Sequence, residues 1–451
     1  MAQDRIPTWQ LAAFAGPAVP MAAMGLPISV YLPQFYAEQM GLGLAAVGTV
    51  FMIARLWDVI TDPMMGIISD KFPSRWGRRR HWIVGSVPII LVSAVMVYMP
   101  SAPSSSLYLF GWMFILYIGY TMAQLNHMAW GAELHEDYDE RSRIMGFLQG
   151  AAIFGVPVVL LIPVLIEQFG TDDVAADRVA AMGWFLIVLL PITVAVAAWR
   201  VPEIKTRTIK QELPLRDAVR PLLTNRPLQR VIASDFLSGF SGAALGSMFL
   251  FQVTYVLQIG APSILLLIYF FAGLGFVPVV VKLSYRLGKH QALIAAALFN
   301  ALMVPTLFLI PPGNFYAAAA IFTFLGVNVG SVTILYRSIL ADVVDVDELE
   351  TGHRRTGQFY ALMTLTSKTG GAIAVGVVFW TLSLIGFVPG AENTESAIRG
   401  LSIVFVATPM ICNFGVAAIM WGFPLDKDMQ EGVRRQLEER AKTADAAPAS
   451  D

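Results

Sequence analysis

The stretch RLWDVITDPMMGIISDKFPSRWGRRRHWIVGSVP, residues Arg55 to Pro88, decides how this chain folds. Its first part is apolar except for Arg55, Asp58 and Asp62, its middle is a short basic loop, and its last part begins a second apolar run. An apolar run of about 20 residues is long enough to cross the hydrocarbon core of a bilayer as a helix. The stretch therefore predicts two membrane-spanning helices joined by a basic loop.

The composition extends this interpretation to the whole chain. Of the 451 residues, 56% are hydrophobic and 14% are charged, and the mean hydropathy is +0.63. Soluble domains carry far more charge. The net charge of −1 excludes the basic excess of a nucleic-acid-binding protein, and the single cysteine, Cys412, excludes a disulfide framework. We predict an all-α integral membrane protein with no nucleic-acid partner.

Twelve apolar runs recur along the sequence, the first at Gln10 to Tyr36 and the last at Ile398 to Phe423. Nearly all Lys and Arg residues outside these runs lie in the two tails and the even-numbered loops, whereas the odd-numbered loops and their edges hold only Arg178 and Arg399. Retained loops carry the basic residues. We therefore expect both termini in the cytoplasm, and we identify no cleaved signal peptide.

The predicted spans form two groups of six on either side of a long basic loop. The expected parts are a bundle at residues 1–199, a cytoplasmic loop at 200–230, a second bundle at 231–424 and a cytoplasmic tail at 425–451. Within the loop, Pro214 to Leu223 is expected to lie on the membrane surface as a short helix, and the end of the charged, Ala-rich tail is expected to be disordered. Two six-helix groups are typical of a transporter built from paired repeats.

Charged residues inside the predicted second span are the strongest functional signal. An ionisable side chain in a span costs about 2.5–3.5 kcal/mol, and Arg55, Asp58 and Asp62 lie three and four residues apart, which puts them on one helix face. Two acids one turn apart repel in a low dielectric, so one binds a proton or a cation sits between them. The alternative is a structural ion pair of Arg55 with Asp58, leaving Asp62 to anchor the following loop.

The second half of the chain offers one opposite charge deep in a span, Lys368, next to Gly370 and Gly371. Glycines allow close helix approach. We therefore expect Lys368 to balance Asp58 and Asp62 in a site that a binding cation would change.

Other polar residues in the spans are weaker candidates. Asp235 is five residues from Arg230, so a helix-end charge that reaches cytoplasmic water is the expected role. Arg337 is expected to extend to the membrane surface. His127 has two interpretations, a titrating group in proton coupling or a hydrogen-bonded packing residue. Trp130 is near enough to the polar part of the fourth span to stack on a substrate.

These residues carry a resemblance to a known family. The opening stretch resembles the signature of the glycoside, pentoside and hexuronide cation symporters, typified by melibiose permease, within the major facilitator superfamily. Three further stretches agree in order and spacing: AELHEDYDERSR from Ala132, TNRPLQR from Thr224, and ADVVDVDELETGHRRTGQFYALMTLTSKTGG from Ala341. The resemblance implies twelve helices in two six-helix bundles around a central cavity, and alternating access that moves a small solute with a cation.

The resemblance also assigns roles to residues. It implies a cation site at Asp58 and Asp62, with Thr61 and Thr121 beside it, while Arg55 and Lys368 match basic residues of the family. Carboxylate and hydroxyl oxygens suit a hard cation such as sodium, whereas a proton needs only one carboxylate. The coupling ion is therefore sodium or a proton, and we expect no other cofactor.

The sugar site of the family matches less well. The first span has no charged residue between Thr8 and Glu38, and Gln124 and Gln149 stand where melibiose permease has an acid and an arginine. Neutral hydrogen bonds would replace the charge-assisted bonds that grip sugar hydroxyls. The expected substrate contacts are Gln124, Asn126, Trp130, Gln149, Arg55 and Lys368.

We predict a monomeric symporter of a sugar or glycoside in the plasma membrane. The alternative on the same fold is a facilitator or exporter of a non-sugar or amphipathic solute such as a lysolipid. A non-transporting membrane receptor or an intramembrane enzyme is disfavoured because the sequence has no attached soluble sensor domain and no HExxH, GxSxG or Walker pattern. In the basic loop, Arg75 and Arg78 to Arg80 are expected to pair with Asp70, Glu133 or helix C-termini in the outward-facing state, as a cytoplasmic latch. The alternative is that these charges only fix the topology, and both roles can hold together.

Overall fold

The computed structural model describes residues 5–101, 104–135, 137–169, 174–203, 224–352, 355–425 and 427–446. In these residues the secondary structure is helical, and Ser74 and Gly77 form one isolated bridge. Twelve of the described helices are long and apolar enough to span a membrane, and a thirteenth follows them. They are α1 Thr8–Glu38, α2 Leu44–Lys71, α3 Arg80–Tyr98, α4 Ser106–Glu133, α5 Asp139–Phe169, α6 Val174–Arg200, α7 Arg226–Val256, α8 Pro262–Leu287, α9 Lys289–Leu309, α10 Phe315–Thr351, α11 Thr356–Leu384, α12 Glu395–Met420 and α13 Lys427–Ala446.

The twelve predicted spans overlap α1 to α12 in order, so the prediction of twelve membrane-spanning helices is confirmed for the described residues. Four of the described helices contain a π-helical or 3₁₀ segment, at Pro27–Tyr31 in α1, Gln252–Val256 in α7, Val304–Leu309 in α9 and Gly326–Asn328 in α10. In α1 the proline-rich sequence produces a π-helical turn at Pro27–Tyr31, because proline has no N–H to donate to the preceding turn. In α10 a 3₁₀ turn at Gly326–Asn328 interrupts the helix, and it restarts after Gly330, whose φ of 79° is accessible mainly to glycine.

The helices cluster into two compact units. Unit 1 comprises Met1–Ile209, Ala243–Leu267 and Ala372–Phe405, so α1 to α6 pack with parts of α7, α8, α11 and α12. Glycines mark a close crossing in this unit: a Cβ on Gly48 of α2 would lie 2.6 Å from Cβ of Phe379, and one on Gly376 of α11 would lie 2.5 Å from Sδ of Met52. The two backbones therefore approach closely.

Unit 2 comprises Lys210–Gly242, Ile268–Gly371 and Val406–Asp451. Its core joins the start of α7, α9, the second part of α10, the start of α11 and the end of α12, and includes Val231, Leu293, Tyr336, Phe359 and Phe423. The units are spatial clusters, and the predicted boundaries at 199, 230 and 424 along the chain stay predictions.

Two expectations concern the linking segments. The proposed surface helix at Pro214 to Leu223 lies outside the described residues, as does the end of the tail, 447–451. The start of the tail, for which no structure was predicted, forms the helix Lys427–Ala446. Val433 is buried, the amide of Gln430 donates to Asp342, and Arg434 lies 4.0 Å from Asp345. Contacts with α10, rather than an apolar pattern in the sequence, hold this helix.

Candidate functional site

The carboxylates of Asp58 and Asp62 lie one turn apart on α2, as their spacing predicts. The side chain of α4 that meets them is Thr121. Its hydroxyl is 2.6 Å from Oδ1 of Asp58 and 3.2 Å from Oδ1 of Asp62. Asp58 is 5% exposed and Thr121 is buried. Three oxygen ligands from two helices therefore converge at one place inside unit 1.

This arrangement has a clear electrostatic consequence. One hydroxyl proton cannot satisfy two carboxylates, and the buried Asp58 and the half-buried Asp62 repel each other in a low-dielectric environment when both are ionised. A cation that enters between the oxygens removes the repulsion and takes over part of the solvation that burial has removed. No group of three or more His, Cys, Asp and Glu side chains with metal-binding geometry occurs in the part of the chain that the structure describes, so the oxygen set is a carboxylate pair with a hydroxyl.

Arg55 lies close to the two acids of α2. It is half-buried, and its charge, like those of Asp58 and Asp62, acts on the phenol of Tyr120 on α4. The arginine therefore lies in the electrostatic field of the site. The alternative interpretation, a structural ion pair of Arg55 with Asp58, stays a prediction.

Thr61 is predicted to lie beside the cation, but its hydroxyl contacts the backbone of its own helix. Its hydroxyl donates to the backbone carbonyl of Asp58 at 3.2 Å. That bond is local to the helix. A direct role for Thr61 in cation binding stays a prediction.

The predicted substrate contacts of the first half fall into two groups. Gln124 is half-buried and hydrogen-bonded to Tyr120 one turn earlier, and Gln149 is exposed on α5. Asn126 and Trp130, by contrast, are enclosed by protein: the Asn126 amide donates to the backbone of its own helix at 2.8 Å, and Trp130 is 1% exposed.

The enclosure of Trp130 follows from its neighbours. The ring centroid of Phe14 lies 5.3 Å away in an edge-on arrangement, and the guanidinium of Arg80 lies 5.6 Å above the indole. Substrate stacking on Trp130 would require this packing to open. Of the predicted contacts in the first half, the structure leaves Gln124, Gln149 and Arg55 accessible.

His127 is a packing residue in this structure. Its Nε2 lies 2.7 Å from the backbone carbonyl of Phe14, and its ring stacks on the Phe14 ring at a centroid distance of 4.7 Å. A carbonyl only accepts, so Nε2 carries the proton. The geometry matches the second of the two interpretations of this histidine.

Unit 2 contains two further predicted residues. Lys368 is half-buried on α11. Asp235 on α7 is buried, 8% exposed, and accepts a hydrogen bond from Ser367. The expectation that Asp235 is a water-exposed helix-end charge is therefore wrong, because α10 and α11 cover it.

The basic loop after α2 forms the ion pairs expected of it. Arg79 is buried and donates to Glu133 at 2.8 Å and to Ser69 at 2.8 Å, and Asp70 lies 2.6 Å from both Arg78 and Arg79. Burial works against the charge of Arg79, but its hydrogen bonds and the charges of Glu133 and Asp70 outweigh this and raise the pKa of the guanidinium. The predicted pairing with Asp70 and Glu133 is confirmed for Arg78 and Arg79, whereas its role as a conformational latch stays a prediction.

Glu203, just after α6, completes this network. Its carboxylate accepts the backbone N–H groups of Arg78, Arg79 and Arg80 at the start of α3. A carboxylate at a helix N-terminus satisfies unpaired donors and complements the helix dipole. A Cβ on Gly77, whose φ is 121°, would collide with Glu203, so a glycine is required there.

Sequence reasoning missed a second set of polar contacts in unit 1. They lie at the end of the unit that contains the loop between α1 and α2. We name this end, which includes Glu38, Glu167, Tyr255 and Ser263, the first-loop end. Glu167 at the end of α5 accepts the backbone N–H of Ser263 at the start of α8 (3.1 Å to Oε2) and pairs with Arg178 of α6 at 2.7 Å. Tyr31 of α1 donates to the Ser263 hydroxyl at 2.8 Å.

A parallel link lies close by in the same unit. The phenol of Tyr255 on α7 donates to Glu38 of α1 at 3.0 Å and accepts the N–H of Gly390 at 2.6 Å. The one sequence signal for these links is a carboxylate at the very end of an apolar run, which occurs at both Glu38 and Glu167.

Solved structures share this architecture. The nucleoside transporter NupG superposes with a TM-score of 0.66 at 13% identity, covering 91% of this chain and 98% of that one. The inward-open xylose transporter XylE from E. coli superposes with a TM-score of 0.64 at 15% identity, covering 95% and 99%. At these identities the likeness shows the fold alone, and it confirms the predicted major facilitator fold.

The twelve long apolar helices define a multi-pass membrane protein. A family model for MFS/sugar transport proteins matches residues 13–427, and the chain belongs to that family. Membership confirms the resemblance found in the sequence and identifies the chain as a carrier of a sugar-like solute rather than an enzyme.

Curated relatives match over most of their length. The isoprimeverose transporter of Lactiplantibacillus pentosus is 24% identical over 87% of this chain and 83% of its own. The glucuronide carrier protein homolog of Escherichia coli is 23% identical over 91% and 90%. A putative 2,3-dihydroxypropane-1-sulfonate exporter of the same bacterium is 24% identical over 92% of each chain.

Proposed function

We propose that this protein is a secondary active symporter that couples the movement of sodium to that of a sugar-like solute by alternating access. The observation that carries the proposal is the convergence of Thr121 on Asp58 and Asp62. Two carboxylates and a hydroxyl form the oxygen-rich set that a hard cation prefers, whereas a proton would need only one of the carboxylates. Sodium is therefore the favoured ion, and proton coupling is the alternative outcome.

Coupling requires that ion and solute favour the same state. A cation bound between α2 and α4 fixes the relative position of these two helices, and by reciprocity a solute that binds better in that state tightens cation binding by the same factor. The solute contacts that we propose are Gln124, Gln149 and Arg55 in unit 1, with Lys368 on α11. Asn126 and Trp130 are proposed to contribute only in a state that uncovers them.

The contacts at the first-loop end suggest which gate is shut. Hydrogen bonds from Glu167 to Ser263 and from Tyr255 to Glu38 join α1 and α5 to α7 and α8 there. The distribution of Lys and Arg favours a cytoplasmic location for both termini, and in that orientation this end faces outward. We propose that these links hold the outer side closed, in a monomer that lies in the plasma membrane.

Reconstituted vesicles provide the test. Purified protein in proteoliposomes is given an inward sodium gradient, an inward proton gradient or neither, and uptake of labelled isoprimeverose and of a labelled glucuronide is followed. Accumulation above equilibrium under the sodium gradient supports the proposal. Uptake that only equilibrates, whatever the gradient, would contradict it.

The second candidate is an exporter or facilitator on the same fold. The relative named as a putative exporter of a small sulfonate, which matches along 92% of this chain, favours it. The replacement of acidic and basic sugar contacts by Gln124 and Gln149 is compatible with a less hydroxylated solute. Inside-out vesicles separate the candidates, since an exporter accumulates its solute in them while the ion gradient runs outward.

A further inference from the structure

Asp235 differs from the other buried acids of unit 2 in its lack of a basic partner. Asp342 lies 2.7 Å from the ammonium of Lys289, and Asp347 is held by Arg355. No ion pair joins Asp235 to any residue that the structure describes, and one of its carboxylate oxygens, Oδ2, is buried without a hydrogen-bond partner.

The position of Asp235 makes this arrangement costly for an anion. It is nine residues into α7, which is about 14 Å along the helix axis, and it is more than nine-tenths buried. Water is kept out by tight contact between α7 and α11: a Cβ on Gly239 would lie 2.7 Å from the carbonyl oxygen of Ser367, and one on Gly370 would lie 2.5 Å from that of Phe236.

The groups around Asp235 are hydroxyls. From α11, the Ser367 hydroxyl donates to the carboxyl group. From α10, the phenol of Tyr336 lies 2.9 Å from the Ser238 hydroxyl and interacts electrostatically with Asp235. On α12 the neighbour of α7 is Gly415, which contacts Leu237 and carries no charge. Lys368 follows Ser367 in the chain and is therefore about 100° further around α11.

We propose that Asp235 is a proton-binding site of this transporter, separate from the carboxylate pair on α2. An ionised carboxylate without a counter-ion is the most expensive state that a buried group can have, and addition of one proton to Oδ2 turns it into a neutral acid that the Ser367 hydroxyl and the surrounding apolar packing can accommodate. The ligand is the proton alone, so no co-reactant is needed.

The consequence for transport rests on the proposed function. Any step of the cycle that separates α7 from α11 would expose Asp235 to water and release this proton. Transport would then depend on pH even when sodium drives it.

Infrared spectroscopy tests the site without a transported solute. Purified wild-type protein in nanodiscs at neutral pH should show the carbonyl stretch of a protonated carboxylic acid, shifted in heavy water. In Asp235→Asn that band should be lost, and in the matched control Asp342→Asn, which removes an acid paired with Lys289, it should persist. A wild-type spectrum without the band, or a band unchanged in Asp235→Asn, overturns the proposal.

Two further variants keep the test decisive. Ser367→Ala retains Asp235 but removes its hydrogen bond, so the same band should move to higher frequency, and an unmoved band contradicts the assignment even if Asp235→Asn fails to fold. Asp58→Asn should leave the band in place while it removes sodium binding. If the proposed sodium-coupled transport is wrong, the infrared test of the proton site at Asp235 is therefore unaffected.

Discussion

The hydroxyl of Thr121 lies 2.6 Å from Oδ1 of Asp58, so a side chain of α4 reaches the more deeply buried of the two acids on α2. The same oxygen is 3.2 Å from Asp62. This contact links two helices through the group that also offers a ligand to a cation. A structural hydrogen bond and the proposed ion-binding role therefore coincide at Thr121.

Replacement of Thr121 by valine tests that coincidence, because valine keeps the shape and removes the hydroxyl. A hydrogen bond to a charged group contributes about 1.5–3 kcal/mol, so sodium affinity should fall roughly 10- to 150-fold. The measurement is a sodium titration followed by thermal stability, since a ligand of the folded state raises the melting temperature. Thr121→Ser is the control and should bind as the wild type does; equal affinity in the valine variant would remove Thr121 from the site.

The buried carboxylate of Glu167 gives a prediction for the first-loop end. Its side chain is 1% exposed and pairs with Arg178, so Glu167→Gln leaves a buried arginine without its counter-ion, which costs about 3–5 kcal/mol. The melting temperature should fall, and the amide of Ser263 should exchange its hydrogen faster. Glu431→Gln, in the exposed pair with Arg435, is the control and should change neither quantity. Slow exchange at Ser263 in the glutamine variant would argue against this contact as a gate.

The close crossing of α2 and α11 predicts different effects for two glycines of one helix. A Cβ at Gly48 meets Phe379 at 2.6 Å, whereas one at Gly66 meets nothing within 4 Å. Gly48→Ala should lower the stability by about 1–3 kcal/mol through overpacking, and Gly66→Ala should be neutral or raise it by about 0.5–1 kcal/mol. Thermal denaturation in detergent compares them, and an equal response of the two variants would contradict the crossing.

The part of the site that sequence alone predicts is the part that one helix determines. Asp58 and Asp62 share a face because residues four apart do so in every α-helix. That Thr121 lies beside them was implied by the resemblance to a family, and in the structure its hydroxyl is 2.6 Å from Oδ1 of Asp58. The twelve spans followed from hydrophobic length, which a bilayer imposes whatever the tertiary packing.

The other contacts described above depend on which helices pack against each other, and no local sequence pattern predicts that packing. Asp235 was expected near water because Arg230 is close in sequence, but burial is decided by α10 and α11. Trp130 is enclosed because Phe14 and Arg80, far apart in the chain, meet on it. The link from Glu167 to Ser263 spans 96 residues, and the helix Lys427–Ala446 is held by contacts with α10.

Direct binding of radioactive sodium to the purified protein tests the central claim most sharply. Equilibrium dialysis of the wild type and of Asp58→Asn, with Glu431→Gln as a folded control, needs no knowledge of the solute. We expect saturable binding of about one ion per chain in the wild type and in the control, competition by protons at low pH, and no binding in Asp58→Asn with the protein still folded. Wild-type binding in Asp58→Asn, or no binding by the wild type at any pH, would contradict a sodium site at Asp58, Asp62 and Thr121.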